Sequence, residues 1–213
     1  MIQRILGGAM LALLLTAASV QAQEYIAGEH YDIISPAIRG SSDGIEVTEF
    51  FWYGCGHCYN FEPKLSQWKK SLPEDVVVKG SPAIWRPIME THARAFYTAE
   101  ALGVLDDVHL PLFQAINIDR KPLATEDALA DLFAAHGVSR DDFGRAFNSF
   151  GVGSQVRQAD ARAKAARITG TPEMMVAGKY RISTRKAGSQ LGMLEVAEFL
   201  IEKERAAKAT AGL

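Results

Sequence analysis

The sequence predicts one α/β domain interrupted by an all-helical insertion. Strand-like runs at 31–34, 45–53 and 76–79 lie before residue 86, and two more lie after residue 172. Between roughly 86 and 155 these β-branched runs give way to apolar residues at helical spacing. Flanking the insertion are two helical patterns, one at 55–71 and one at 156–168.

Each element has its own local cause. The run 45–53 is dense in β-branched and aromatic residues, carries Glu46 and Glu49, and breaks at Gly54. In the helix that follows, Phe61, Leu65, Trp68 and Leu72 recur at three and four residues, with Pro63 as a kink. Val76 to Lys79 reads as a buried strand. Within the insertion, helices are expected at 93–102 and 108–116. Thr125 caps a third that stops at Gly137, and Ser139 with Asp142 forms a capping box for a fourth. The 156–168 helix stops at Gly170, a hairpin turns at Gly178, and a last amphipathic helix runs from 193 to about 205 before a tail expected to fray.

Composition narrows the function classes. The chain has 213 residues, 23 Lys and Arg against 25 Asp and Glu, a formal charge of −2 and 48% hydrophobic residues. This balance offers no basic footprint for nucleic acid. Residues 1–22 join Arg4, an apolar stretch and Val20-Gln21-Ala22, the pattern of a cleaved secretory signal peptide. The expected organisation is therefore signal peptide 1–22, first α/β part 23–85, helical insertion 86–155 and second α/β part 156–213. Export also permits disulfides.

Cys55-Gly56-His57-Cys58 contains both cysteines of the chain, where a strand hands over to a helix. Zinc would need four ligands. No second Cys-X-X-Cys exists, and His30, His92, His109 and His136 lack metal-ligand spacing, so neither metal nor other cofactor is expected. A structural disulfide closing so short a loop would contribute only about 2 kcal/mol, against ~3 for a 15-residue loop. A redox pair fits better. The unpaired N–H groups and dipole of the first helical turn favour an anion, which lowers the pKa of Cys55 and makes it the attacking and leaving sulfur. An ordinary thiol is only about 3% ionised at pH 7, whereas one with a pKa near 5 is almost fully so. Cys58, one turn further in, is the resolving thiol. His57 gains a functional reading from the thiolate that would offset its charge.

The segment from Glu49 to Glu62, Gly170-Thr171-Pro172, the Gly178-Lys179-Tyr180 hairpin, the helical insertion and the signal peptide together resemble the DsbA family of thiol:disulfide oxidoreductases. The resemblance covers nearly the whole mature chain and implies a thioredoxin fold with a helical insertion. It further implies a periplasmic dithiol oxidase acting on reduced or unfolded exported proteins, reoxidised by a DsbB-like quinone-linked membrane partner, and monomeric. By the same resemblance Pro172 is cis and faces the cysteines, Thr171 pairs its backbone with an extended client, and Glu49 is the family's buried acid near Cys58. The family's basic partner for that acid aligns with Gly80 rather than Lys79, and one residue along a strand reverses the face. Gly56 and Thr171 depart from the family's usual Pro and Val and are similar to disulfide isomerases. An isomerase or reductase, or a non-catalytic folding chaperone, are the alternative functions. Most of Phe50, Phe51, Trp52, Phe61 and Trp68 are expected in the core.

Overall fold

The computed structural model describes residues 24–40 and 44–211. The expected signal peptide at 1–22 lies outside the described residues. The described chain runs β1 Asp32–Ile33, β2 Ile45–Phe51, α1 Gly56–Ser71, β3 Val76–Pro82, α2 Pro87–Leu102, α3 Leu105–Asn117, α4 Glu126–Ala135, α5 Arg140–Phe147, α6 Phe150–Ala165, β4 Glu173–Val176, β5 Tyr180–Ser183, α7 Thr184–Ala187 and α8 Gln190–Ala211. The strands form one sheet in the order β1-β5-β4-β2-β3. β2 pairs parallel with β3 and antiparallel with β4, so both its edges are occupied.

Every residue of β2 is buried, which fits a strand covered on both faces. Ile45 and Val47 pack with Phe61, Leu65 and Trp68 of α1 and with Leu200 of α8, whereas Phe50 packs with Ala163 and Ala166 at the end of α6. Phe61 and Leu65 are wholly buried, and such side chains each contribute about 1.5–3 kcal/mol. At the end of β2 and just past it, Phe51 and Tyr53 join Phe96, Leu112, Phe113 and Phe133 in a cluster that fuses the sheet to the helical insertion. Phe50, Phe51, Phe61 and Trp68 are buried, and Trp52 is the one of the five that is not: it is half-buried, with its Nε1 donating to His92 at 3.0 Å and the Arg86 guanidinium 5.2 Å over its ring.

Thr125 and Ser139 cap as expected, their hydroxyls accepting from the N–H of Ala128 and Asp142. Other boundaries differ. α2 begins at Pro87, whose ring favours a first helical position, instead of at 93. α6 begins at Phe150 behind the cap Ser149, because the Phe-Gly-Val-Gly start hides the periodic pattern, and it ends at Ala165 instead of 168, before Arg167 at φ +55°. α8 continues through the tail to Ala211. Its Ala and Lys residues are strong helix formers, and Arg205 is pinned to Asp75 by bonds of 2.9 and 2.8 Å.

Candidate active site

Cys55 is the residue capping α1, with extended backbone and no side-chain cap of its own. Two flanking elements hold the turn in which it sits. Asn117, at the end of α3, donates through Nδ2 to the carbonyls of Tyr53 and Phe113, both at 2.8 Å. Gln190, at the start of α8, donates to the carbonyl of His57 at 2.6 Å. Gly54 has no room for a side chain, since a Cβ there would stand 2.3 Å from the Trp52 ring. The α/β part and the insertion thus both brace the Cys-Gly-His-Cys turn.

Both cysteines are free thiols. Cys55 is half-buried, and its pKa falls to about 5. The largest cause is the Cys58 thiol donating to its sulfur; the Thr171 side chain and the backbone N–H groups of Cys58 and His57 add to it, while burial opposes them. Cys58 is 0% exposed, and its thiol is pushed well above the ordinary range by burial, by its bond to Cys55 and by Glu49. The two sulfurs are therefore strongly unlike, one ionised at neutral pH and the other protonated. The Thr171–Pro172 bond is cis, and Cys55 Sγ lies 3.3 Å from the Thr171 carbonyl oxygen, to which it donates only while the thiol is protonated. A cavity of about 270 Å³ beside this contact is lined by His57, Asn60, Thr171, Pro172, Thr184 and Gln190.

His57 is exposed, and its imidazole makes no hydrogen bond among the described residues. It supports the thiolate through its backbone N–H. Glu49 is 2% exposed on β2, opposite Gly80 in register, and its Oε1 has no hydrogen-bond partner. Burial and the nearby Glu62 push its carboxyl up to about 8. Lys79 faces the other way and pairs with Glu46 at 2.9 Å.

Sequence reasoning missed the group behind Cys58. His109, from α3, bonds Glu62 Oε2 through Nε2 at 3.3 Å and meets the Tyr53 hydroxyl through Nδ1 at 2.7 Å. Residues 47 and 56 positions apart in the chain, with no motif spacing, leave no local signal for such contacts. Among the described residues no cluster of three or more His, Cys, Asp or Glu could hold a metal ion, and no helix is long and apolar enough to cross a membrane.

Comparison with known proteins places this geometry in a family. Residues 83–190 match the model of the DSBA-like thioredoxin domain. The chain is 43% identical over 201 residues to the thiol:disulfide interchange protein DsbA of Pseudomonas aeruginosa PAO1, covering 93% of this chain and 95% of the relative. It is 41% identical to that of Azotobacter vinelandii, covering 95% of each. The crystal structure of Pseudomonas aeruginosa DsbA superposes with a TM-score of 0.83 at 42% identity, over 87% of this chain and 97% of that one. DsbA from Xylella fastidiosa superposes at 0.81 and 32% identity, over 85% and 98%. At this identity and coverage, the chain belongs to the DsbA family of thioredoxin-fold thiol:disulfide oxidoreductases.

Proposed function

We propose that the protein works as a dithiol oxidase in the periplasm, donating a Cys55–Cys58 disulfide to reduced cysteine pairs of exported proteins. A client thiolate attacks Cys55 Sγ of the disulfide and forms a mixed disulfide, with Cys58 leaving and taking up a proton. A second client thiolate then attacks the client sulfur and expels Cys55 as thiolate, so two electrons pass to the enzyme and the client gains its disulfide. Thr171 and cis Pro172 receive the client main chain as an added strand. Glu49, buried and protonated near neutrality, exchanges protons with Cys58. His57 supplies its backbone N–H to the thiolate, with its ring free to meet the client. Return to the disulfide falls to a quinone-linked membrane oxidase of the DsbB kind, and the protein acts as a monomer.

The observation that carries this reading is the low pKa of Cys55 opposite the cis peptide. A thiolate stabilised in the reduced form makes the disulfide easier to reduce and hence more oxidising. Equilibration with glutathione, followed by alkylation and mass analysis, tests the direction: an oxidase ends mostly reduced, and resistance to reduction would mark a reductase. Cys55→Ser is expected to abolish exchange, while Cys58→Ser accumulates mixed disulfides with clients. Equal activity in both variants would overturn the assignment of roles.

A further inference from the structure

The two ends of the peptide group between His57 and Cys58 do different work. Its N–H is among the donors that support the Cys55 thiolate, and its carbonyl accepts from Nε2 of Gln190 at 2.6 Å. Gln190 opens α8, whose first turn is held by the Ser189 hydroxyl accepting from the N–H of Gly192 at 2.8 Å. At the other end of the Gln190 carboxamide, Oε1 accepts from the Lys64 ammonium of α1 at 3.3 Å. Lys64 also donates to the Asn60 carbonyl at 2.7 Å, one helical turn earlier, and makes no ion pair among the described residues.

These groups form a chain in which every member donates in the same direction: Lys64 to Gln190, Gln190 to His57, and the Cys58 N–H to the Cys55 sulfur. A cation stands at its head and an anion at its foot, with two amide planes between them. The partners fix the way the carboxamide points. An ammonium has only donors and a carbonyl only acceptors, so the opposite orientation of Gln190 would set donor against donor at Lys64 and acceptor against acceptor at His57. Hydrogen bonds in such a chain polarise one another, each strengthening the next by roughly 10–30%. Polarising the His57 carbonyl makes the N–H of the same peptide a better donor. An ionised sulfur gains most from that, because hydrogen bonds to a charged acceptor are the strong ones, whereas the disulfide carries no charge.

We infer that Gln190 and Lys64 are positioning residues for the disulfide exchange, relaying the Lys64 charge through the 57–58 peptide to stabilise Cys55 as the leaving thiolate. Neither side chain bonds a cysteine sulfur; both act through the His57 carbonyl. Because the relay supports only the reduced form, its loss makes the disulfide harder to reduce. The inference rests on the reading of Cys55 as the leaving group of an oxidase.

The parent, Gln190→Met, Lys64→Met and the double variant would be compared by titrating the ultraviolet absorbance of the Cys55 thiolate and by equilibration with glutathione. Gln190→Met is expected to lower the ionisation constant of Cys55 about two- to three-fold and Lys64→Met about two-fold, the part of a bond to an ion that polarisation supplies. Both should move the glutathione equilibrium toward the disulfide by similar factors, and Lys64→Arg should restore the parent values. In the Gln190→Met background Lys64→Met should have no further effect, because its path is already cut. Equal factors for Lys64→Met in both backgrounds would overturn the relay, since a charge acting through space needs no Gln190. Should Gln190→Met fail to fold, salt separates the same two cases. A through-space effect of Lys64→Met fades at ~1 M salt, where the Debye length is about 3 Å, and a relayed one persists. An unchanged titration in Gln190→Met would overturn the relay and leave the oxidase reading intact. A parent Cys55 that ionises like an ordinary thiol would overturn both.

Discussion

The thiolate of Cys55 is held by dipoles rather than by a neighbouring full charge. Its largest support is the Cys58 thiol, followed by the Thr171 side chain and two backbone N–H groups; no cation appears among the causes. His57, the cation expected beside it, contributes through its main chain. Short-range dipoles are little affected by salt, so the low pKa should persist at high ionic strength. Thr171 is the one side-chain donor that can be removed without touching a cysteine. Thr171→Val should weaken the ionisation of Cys55 about five-fold, the value of one net hydrogen bond, and shift the glutathione equilibrium toward the disulfide form. Thiolate absorbance in the ultraviolet, titrated from acid to neutral pH, would show it. An unchanged titration would mean that the Cys58 thiol and the two N–H groups suffice.

At the level of elements, β3 explains why no basic residue stands opposite Glu49 in the sheet. Gly80 stands opposite Glu49, and a Cβ there would come within 2.9 Å of Phe96 and 3.2 Å of Phe51. Aromatic rings fill the space that a lysine stem would need. Gly80→Ala is accordingly expected to destabilise the protein by ~1–3 kcal/mol, measured by chemical denaturation, as overpacking of a filled core does. At Gly56 the opposite holds, since its Cβ would meet only Asn117 Oδ1 at an ordinary 3.8 Å and it is the first residue of α1. Gly56→Pro should stabilise by about 0.4–1 kcal/mol. What could be read from the sequence divides along the same line. Strands β1 to β5, the caps Thr125 and Ser139 and the Cys-X-X-Cys turn at the head of a helix were legible because each leaves a local pattern or a motif, whereas the place of Gly80 opposite Glu49 came from alignment on the family resemblance. The cis bond at Pro172 followed from family resemblance alone, because composition favours trans. Helix starts at Pro87 and Phe150 and the single turn α7 were not legible, and neither were the contacts of His109 or the bond from Gln190 to His57. Those arise only when distant elements pack.

Across the whole molecule, the ionisations of buried Glu49 and half-buried Cys55 oppose each other as pH changes. Glu49 keeps its proton in the folded state up to about 8 against an ordinary 4.5, so between those values folding binds a proton and stability falls as pH rises. Cys55 ionises in the folded reduced protein at about 5 against an ordinary 9.0, so between those values folding releases a proton and stability rises with pH. In the reduced protein the two slopes partly cancel from about 5 to 8. In the disulfide form the Cys55 contribution is gone, and the thiolate charge that helps to raise Glu49 goes with it. The stability of the oxidised protein should therefore fall as pH rises through this window, by no more than about 1.4 kcal/mol per pH unit for one proton. The reduced protein should stay nearly level. Glu49→Gln removes the falling contribution: the oxidised variant should become level and gain on the parent as pH rises toward 8, by no more than about 1.4 kcal/mol per pH unit. The reduced variant should then gain stability between pH 5 and 8. Denaturation midpoints of both redox forms across that range would separate the two contributions, and parallel pH profiles for parent and variant would show that Glu49 does not titrate there.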